Sequence, residues 1–360
     1  MQRTRGCGLG ASTVPRWSAV GVLTVLLTAC APAGTGPPAS GVSAAAPSTA
    51  PTTAPRRDHG GGSSARGPLP APVPLASFDR LAPPGEGAWS AAGRKVGGVS
   101  ALYETSLVPP GGGRAVGIAW MDTHLLAARL YSGSGSPGGG PYRYTAAIQP
   151  AQAATLVAAF SGGFKMPDAH GGYYTDGREV VPLVTGAASL VIYFDGSVTV
   201  GSWGTTVRMT PSVVSVRQNL VPLVAGGLPT PTAMSPDWQV WGDTCAARSC
   251  ALTVPGIDHQ WRSAVGVTAD GALVYVTGPA LDPPQLARVL VRAGVVRGME
   301  LDINPFWPVL ATYAPATSAG PATPANGTRL VPGSVQGPKT FFDPTWTRDF
   351  ITMSARPPPG

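Results

Sequence analysis

The chain has 360 residues and a formal net charge of +7, although only 12% of its residues are charged. Residues 1–90 hold seven arginines against three acidic residues, which leaves +3 for the remainder of the chain. No run of Lys and Arg with interleaved aromatic residues occurs, so the pattern typical of nucleic-acid-binding proteins is missing, and we expect no nucleic-acid partner.

The first segment has the layout of a signal peptide. Arg3, Arg5 and Arg16 precede an apolar run from Ala19 to Leu27. This run is shorter than the roughly 20 residues that a membrane-spanning helix needs, so it can direct export but not span the membrane. The sequence therefore predicts a signal peptide over residues 1–29.

The leader ends in Leu27-Thr28-Ala29-Cys30, with small residues just before a cysteine. This ending resembles the site where bacterial lipoproteins are cleaved and acylated. An ordinary secretory signal with a chance cysteine is the alternative. We expect cleavage before Cys30, lipidation of Cys30, and an extracytoplasmic protein that contacts the cell membrane through its lipid anchor.

The segment after Cys30 has the composition of a disordered stalk. Of the 40 residues from Ala31 to Pro70, 33 are Ala, Gly, Pro, Ser or Thr. Such a segment cannot bury enough apolar surface to offset its chain entropy. We assign residues 30–88 to the lipidated cysteine and stalk, and residues 89–354 to a folded domain.

Two of the four cysteines, Cys245 and Cys250, belong to the domain. In an oxidising compartment a close pair predicts a disulfide. A two-thiolate metal site is the alternative, but no second cysteine pair or nearby histidine cluster completes four ligands. We therefore expect a disulfide, and neither a metal nor a cofactor.

The predicted elements begin with a helix over Pro150–Ala159 that leads into a loop at Ser161. Two hairpins follow, because Asp195-Gly196 and Asp270-Gly271 each lie between β-rich runs, and Asp-Gly favours a tight turn. The strands of these hairpins are Leu190–Phe194 with Ser197–Val200, and Ala264–Ala269 with Ala272–Val276.

A second helix is predicted over Pro283–Ala293, with Asp282 as its N-cap and Gly294 at its end. The strand Val295–Asp302 follows and breaks at Ile303-Asn304-Pro305. Strands outnumber helices, so the expected fold class is α+β, as a single domain with a mixed or antiparallel sheet and few helices.

Several catalytic signatures are missing: the sequence has no Gly-x-Ser-x-Gly elbow, no His-Glu-x-x-His and no phosphate-binding loop. Four stretches instead resemble the phosphodiester glycosidases, the family that includes the enzyme uncovering mannose 6-phosphate by removing N-acetylglucosamine. They occur in the family's order, and they are Ala159–Phe164 (similar to an Asn-Gly-Gly-Phe loop), Arg217–Val224, Arg262–Gly266 with Asp270-Gly271, and Met299–Asp302.

The chain departs from the family pattern in two places. Ser161 stands where the family has asparagine, and Ile303-Asn304-Pro305-Phe306-Trp307 replaces a flexible Gly-Gly-Gly-Ser loop. Losing glycine removes backbone freedom and close approach to a ligand. The resemblance implies a hydrolase acting on a sugar-1-phosphodiester in an envelope glycan or related glycoconjugate. The departures leave open a catalytically inactive glycan-binding or scaffold lipoprotein of the same fold.

Residue chemistry suggests where such a reaction would occur. Glycoside cleavage needs a carboxylate at the anomeric carbon or its attacking water, and a phosphate leaving group needs a cation. We predict Asp302, at the end of an apolar strand, as the carboxylate, Glu300 as its partner and Arg262 as the cation. A structural ion pair of these acids with Arg262 or Arg297 is the alternative. The predicted substrate-binding residues are Ser161, Gly162, Gly163, Lys165, Asn304 and Trp307.

Overall fold

The protein is described here from a computed structural model, which covers residues 67–242 and 260–357. These residues belong to one compact unit, Gly62–Gly360. The predicted signal peptide, Cys30, the stalk before residue 67, and Cys245 with Cys250 lie outside the described residues.

The described residues form twenty β-strands, two α-helices and three short 3-10 helices. The helices are α1 (Pro150–Ala153) and α2 (Pro283–Arg292), and the 3-10 helices are Gln239–Trp241, Pro324–Asn326 and Pro338–Phe342. The strands are β1 (Ser90–Ala91), β2 (Lys95–Val96), β3 (Val99–Ser100), β4 (Leu102–Leu107), β5 (Val116–Met121), β6 (Leu126–Tyr131), β7 (Leu156–Ser161), β8 (Tyr173–Thr175), β9 (Arg178–Val181), β10 (Ala188–Tyr193), β11 (Val198–Ser202), β12 (Val213–Gln218), β13 (Pro222–Ala225), β14 (Leu228–Pro229), β15 (Gln260–Thr268), β16 (Leu273–Leu281), β17 (Val295–Ile303), β18 (Leu310–Tyr313), β19 (Gly327–Arg329) and β20 (Phe350–Ala355).

Three sheets make up most of the fold. The largest has eight strands in the order β1-β4-β5-β16-β15-β17-β13-β14, and the two five-stranded sheets have the orders β11-β10-β12-β8-β9 and β19-β18-β7-β20-β6. Within the described residues, the neighbouring strands of these sheets pair antiparallel. The expectation of a sheet-rich fold with antiparallel sheets and few helices is therefore confirmed.

Both predicted hairpins are confirmed. Strands β10 and β11 pair across Asp195-Gly196, with Ile192 opposite Val198. Strands β15 and β16 pair across Asp270-Gly271. The glycine takes the positive φ in each turn, at 77° for Gly196 and 95° for Gly271, which a residue with a Cβ adopts only with strain.

Helix α2 is also confirmed. The Asp282 carboxylate accepts a bond from the Gln285 backbone N–H at 2.6 Å, and the Gln285 side chain accepts from the Asp282 N–H at 3.1 Å, which makes a capping box. Gly294, at φ 85°, follows the last turn. The helix carries the chain from β16 over the sheet to β17, which pairs with the other side of β15.

The predicted helix over Pro150–Ala159 is wrong beyond its first turn. Helix α1 ends at Ala153, and Leu156–Ser161 is strand β7, fully buried and paired with β18 and β20. Val157 and Phe160 face the main core, whereas Leu156 and Ala159 face a second core. A strand buried on both faces has a continuous apolar run, which periodicity alone does not distinguish from a buried helix.

The segment before β1 packs against the sheet. Leu69, Leu75 and Phe78 are partly buried against the main core, and the Leu69 N–H donates to Asp122 Oδ2 at 2.8 Å. These three residues fall within the range 30–88 that we assigned to the stalk, and in the structure their side chains pack against the main core. None of the helices in the described ranges is long and apolar enough to cross a membrane.

Candidate active site

Charged residues from three strands and from the segment just before β20 converge inside the fold. Strand β17 carries Glu300 and Asp302, and its neighbour β15 carries Arg262, since Arg262 lies opposite Ile303 in the register. The other contributions come from β12 and from the residues just before β20. The converging charged residues are Arg217, Arg262, Glu300, Asp302, Arg348 and Asp349, all at most 4% exposed.

Glu300 pairs with Arg262. Arg262 Nη1 lies 2.6 Å from Glu300 Oε1, and both side chains are fully buried. The same guanidinium donates to the carbonyls of Leu281 at 2.9 Å and Trp241 at 3.1 Å. This network matches the structural alternative for Glu300, because it joins β15, β16, β17 and the 3-10 helix at Gln239–Trp241. Arg262 is buried among these bonds, so it is not open to a phosphate group as the predicted cation would have to be.

Asp302 pairs with Arg348 instead. Arg348 Nη2 lies 2.6 Å from Asp302 Oδ1 and donates to the Gly163 carbonyl at 2.5 Å. Its guanidinium carbon lies 4.8 Å from the centre of the Trp307 ring, a cation–π contact. Within the described residues Asp302 Oδ2 and Arg348 Nε are buried and make no hydrogen bond. A buried polar atom without a hydrogen bond carries a desolvation cost, so these two atoms make the Asp302–Arg348 pair a candidate site.

The surroundings of Asp302 favour its protonated form. The pKa of Asp302 is raised to about 7, chiefly by burial; Arg348 lowers it, and Asp349 contributes to the rise. Burial acts this way because it penalises the charged state. At neutral pH the carboxyl is therefore divided between its acid and its conjugate base, which suits a group that exchanges a proton.

The glycine segment Ser161–Phe164 lies directly against this cluster. The Gly162 N–H donates to the Asp349 carbonyl at 3.0 Å. A Cβ on Gly162 would lie 2.1 Å from Asp349 Oδ2, so only glycine fits. The Phe164 N–H donates to Asn219 Oδ1, and Asn219 Nδ2 donates to the carbonyls of Glu300 and Leu301, each at 3.0 Å. Asn219 thus joins the glycine segment to β17.

Ser161 binds the aromatic loop. The Ser161 hydroxyl donates to the Trp307 carbonyl at 2.6 Å. Ser161, which stands where the glycosidase pattern has asparagine, therefore binds the backbone of the aromatic loop. In the same loop Asn304 has φ 69°, and its side-chain oxygen accepts from the Phe306 N–H at 3.0 Å. The half-buried Trp307 ring also packs against Trp346, with their ring centroids 5.6 Å apart.

The predicted site residues are thus only partly brought together. Arg348 connects Asp302, Gly163 and Trp307, and Ser161 and Gly162 adjoin them. Lys165 is exposed, and its carbonyl accepts from the Asp168 N–H at 2.9 Å within a turn.

Arg348 and Asp349 were missed by the sequence reasoning, which assigned them no role. The available signal was an adjacent Arg-Asp pair immediately before the apolar run Phe350–Met353, in a chain where charged residues make up only 12%. Arg217 and Asn219 lie in a stretch that resembles the glycosidase family, but their buried partners are far away in the sequence. Contacts across 132 residues, such as Arg217 to Asp349, cannot be inferred from a local pattern.

No metal-binding arrangement of His, Cys, Asp and Glu occurs among residues 67–242 and 260–357.

A cavity of about 260 Å³ lies away from Asp302, and its walls are nearly all apolar. It is lined by Ile148, Pro150, Ala153, Pro321, Ala322, Thr323, Pro324 and Phe342.

The sequence matches no protein-family profile. It also has no significant match among curated proteins. Among solved structures it is similar to the catalytic domain of zebrafish N-acetylglucosamine-1-phosphodiester alpha-N-acetylglucosaminidase, auto-inhibited by its pro-peptide, at 15% identity and a TM-score of 0.41 over 74% of this chain and 88% of that chain. It is also similar to a hypothetical protein from Synechocystis, at 10% identity and a TM-score of 0.35 over 72% of this chain and 63% of that chain. TM-scores below 0.5 assign no family, so the chemistry has to be inferred from the residues themselves.

Proposed function

We propose that this protein is a lipid-anchored extracytoplasmic hydrolase that cleaves the bond between a sugar and phosphate in a sugar-1-phosphodiester of an envelope glycan or related glycoconjugate. The observation that carries the proposal is the Asp302 carboxyl, which is bound through Oδ1 to Arg348 and has Oδ2 without a hydrogen bond within the described residues. The anchor would be the acylated Cys30.

Asp302 fits the role of the carboxylate. Its free Oδ2 could attack the anomeric carbon or accept a proton from an attacking water. A carboxyl whose pKa is raised to about 7 keeps a large share of both protonation states near neutral pH. The bond to Arg348 orients the group, so that less motion has to be restricted when substrate binds.

Arg348 is the best cation for the phosphate. We predicted Arg262 for this role from the sequence, but Arg262 is engaged with Glu300 and two carbonyls. Arg348 lies beside Asp302 and has an unbonded Nε among the described residues. A guanidinium next to the reacting carboxylate would stabilise charge on the leaving phosphate. Trp307, stacked on Arg348, offers an aromatic face to a sugar ring.

Substrate access requires a local rearrangement. Asp302 is 1% exposed, so a sugar reaches Oδ2 only when a neighbouring segment moves. The loop Ile303–Trp307 is the candidate, because it follows Asp302 directly and exposes Phe306 by 56%.

The second candidate function is glycan binding or scaffolding by a lipoprotein that does not turn over substrate. The observation that favours it is the closed state of the site: Asp302 is buried, and the Ser161 hydroxyl is bonded to the Trp307 carbonyl. A site that binds a glycan at its rim needs no access to Oδ2.

One experiment separates the two functions. The purified protein is incubated with a panel of sugar-1-phosphodiesters, and released sugar is measured beside direct binding by calorimetry. We expect release by the wild type and a loss of about 10³-fold or more in Asp302→Asn, because removing the reacting carboxylate costs several orders of magnitude. The matched control is Asp168→Asn, which removes an exposed carboxylate from the loop after the glycine segment and should leave turnover unchanged.

Binding without release in the wild type, lost in Arg348→Met, would establish the scaffold function instead. Equal turnover by the wild type and Asp302→Asn would place the reaction elsewhere in the protein.

A further inference from the structure

The Arg217–Asp349 ion pair has no part in the function proposed above. Arg217 Nε lies 2.7 Å from Asp349 Oδ2, and Arg217 Nη2 donates to Asp349 Oδ1 at 3.2 Å. Both side chains are fully buried, and the two parallel bonds fix the planes of guanidinium and carboxylate relative to each other. The desolvation cost of a buried ion pair can exceed the attraction between its charges, so a gain in stability alone does not explain why this pair is present.

The pair binds the glycine segment at two points. Arg217 donates to the Phe164 carbonyl, and the Asp349 carbonyl accepts from the Gly162 N–H at 3.0 Å. Asp349 Oδ2 occupies the space where a Cβ of residue 162 would be. The residues on either side of Gly163 are therefore held from the β12 side and from the β20 side.

The same pair determines where Arg348 lies. Arg348 precedes Asp349 in the chain, and its Nη2 donates both to the Gly163 carbonyl and to Asp302 Oδ1. The Gly163 carbonyl lies within the segment that Arg217 and Asp349 hold. A shift of Asp349 would thus move both the backbone attachment of Arg348 and the carbonyl that it binds.

We propose that Arg217 and Asp349 are positioning residues, which hold the glycine segment and Arg348 so that Arg348 binds one oxygen of Asp302 and leaves the other free. This inference rests on the proposed function insofar as it gives Asp302 the reacting role. Neither residue contacts the reacting atoms, so each acts through Arg348 and the loop.

The charges of Arg217 and Asp349 change the pKa of Asp302, an effect that packing contacts alone would not produce. Asp349 raises the pKa of Asp302, and Arg217 lowers it. The charged and titratable groups that act on Asp302 come from several neighbouring elements. They are Arg348 and Asp349 before β20, Arg217 on β12, Tyr275 on β16, and Glu300 on β17, which is itself paired with Arg262 on β15.

The test is a carbon-detected titration of the mature protein labelled with ¹³Cγ-aspartate, in which Asp302 is assigned by the loss of its signal in Asp302→Asn. We expect the titration midpoint of Asp302 to fall in Asp349→Asn and to rise in Arg217→Met. Asp122→Asn is the control, because Asp122 is as buried as Asp302 but is absent from the groups that act on it. Unchanged midpoints in both folded variants would overturn the proposal.

Each single variant leaves one buried charge without its partner, which can prevent folding. The double variant Arg217→Met/Asp349→Leu covers that outcome, since replacing both members of a buried pair by apolar residues is often neutral for stability. Asp349 raises the pKa of Asp302 and Arg217 lowers it, so the double variant removes two opposing effects and is assayed by kcat, which should fall with KM little changed. A kcat equal to that of the wild type would contradict the proposal.

Arg217→Lys tests geometry without removing charge. It loses the two-pronged bond, so we expect kcat to fall by about 10²-fold with KM little changed, because small misplacements of reacting groups have effects of that size. An unchanged kcat in this variant would count against positioning. If the Asp302 midpoints shift as expected while the wild type hydrolyses no phosphodiester, the proposed function fails and the positioning of Asp302 stands.

Discussion

Replacing Asp302 by Asn should stabilise the protein at neutral and alkaline pH. The amide has the shape of the protonated carboxyl and carries no charge. The folded state raises the pKa of Asp302 from its ordinary value of 3.8 to about 7, which means that it binds the neutral form better than the charged form. The asparagine variant therefore avoids a penalty that the wild type acquires when Asp302 ionises.

The sign and size of this effect follow from the two pKa values. Below about pH 4 the carboxyl is protonated in both the folded and the unfolded protein, and the two proteins should be equally stable. Between about pH 4 and pH 7 the unfolded chain releases the proton and the folded protein keeps it, so the stability of the wild type falls as pH rises. Above pH 7 the difference in unfolding free energy between Asp302→Asn and the wild type is constant. Its upper bound is about 4 kcal/mol, because a rise in pKa from 3.8 to about 7 corresponds to 1.36 kcal/mol per pKa unit.

Urea unfolding followed by tryptophan fluorescence at intervals from pH 4.5 to pH 8 measures this difference. We expect the stability of Asp302→Asn relative to the wild type to increase steadily across the range. Asp122→Asn is the matched control, because Asp122 accepts backbone N–H bonds from Leu69 and His124 at 2.8 Å and Leu125 at 3.2 Å, and an amide nitrogen facing these donors should destabilise the protein. A variant of Asp302 that is less stable than the wild type at pH 8 would show that the Arg348 bond dominates burial, and the reasoning would be wrong.

Four further outcomes are expected. Arg348→Met removes the cation that lowers the pKa of Asp302, so the acid limb of a pH–rate or pH–binding profile should move to higher pH. An acid limb at the wild-type pH would show that Arg348 does not act on the pKa of Asp302. Asn219→Leu leaves the Phe164 N–H and two β17 carbonyls without their partner, which should cost about 1–3 kcal/mol in urea unfolding, and Asn219→Asp should not recover this stability, because a carboxylate can accept from the Phe164 N–H but cannot donate to the two carbonyls. Cys30→Ala should remain full length and unacylated, and its entry into the detergent phase on partitioning would reveal another anchor. Thiol titration of the non-reduced mature protein should find Cys245 and Cys250 oxidised, and their replacement should cost about 2 kcal/mol; two free thiols would exclude the bond.

The fold was predictable from the sequence where local chemistry decides it. Asp-Gly turns and the capped helix α2 are specified by neighbouring residues, so both hairpins and the helix were predicted close to their observed bounds. Strand β7 was not, because its burial between two cores depends on β18 and β20, which lie about 150 to 200 residues away in the chain. Without knowledge of those partners, Leu156–Phe160 is a short apolar run compatible with either a helix or a strand.

The candidate site divides in the same way. The position of Asp302 at a strand end was a local feature, and so was the glycine pair at positions 162 and 163. The pairing of charges was not local. Arg262 binds Glu300, and Arg348 binds Asp302 across 46 residues. Strand register and side-chain direction decide these pairings, and neither is encoded in the spacing of charged residues along the chain.

The three buried ion pairs together balance: three arginines face three carboxylates, and Arg217, Arg348, Asp349 and Glu300 all act on the Asp302 charge. Substituting any one of the six except Asp302, whose neutral form the folded protein favours, leaves an unbalanced charge that the other five experience. Single substitutions during evolution would therefore be removed by selection on folding before their effect on chemistry could be tested, and the site would change through paired replacements. In related sequences these six positions should covary as a set, with the loss of an arginine accompanied by the loss of its acid.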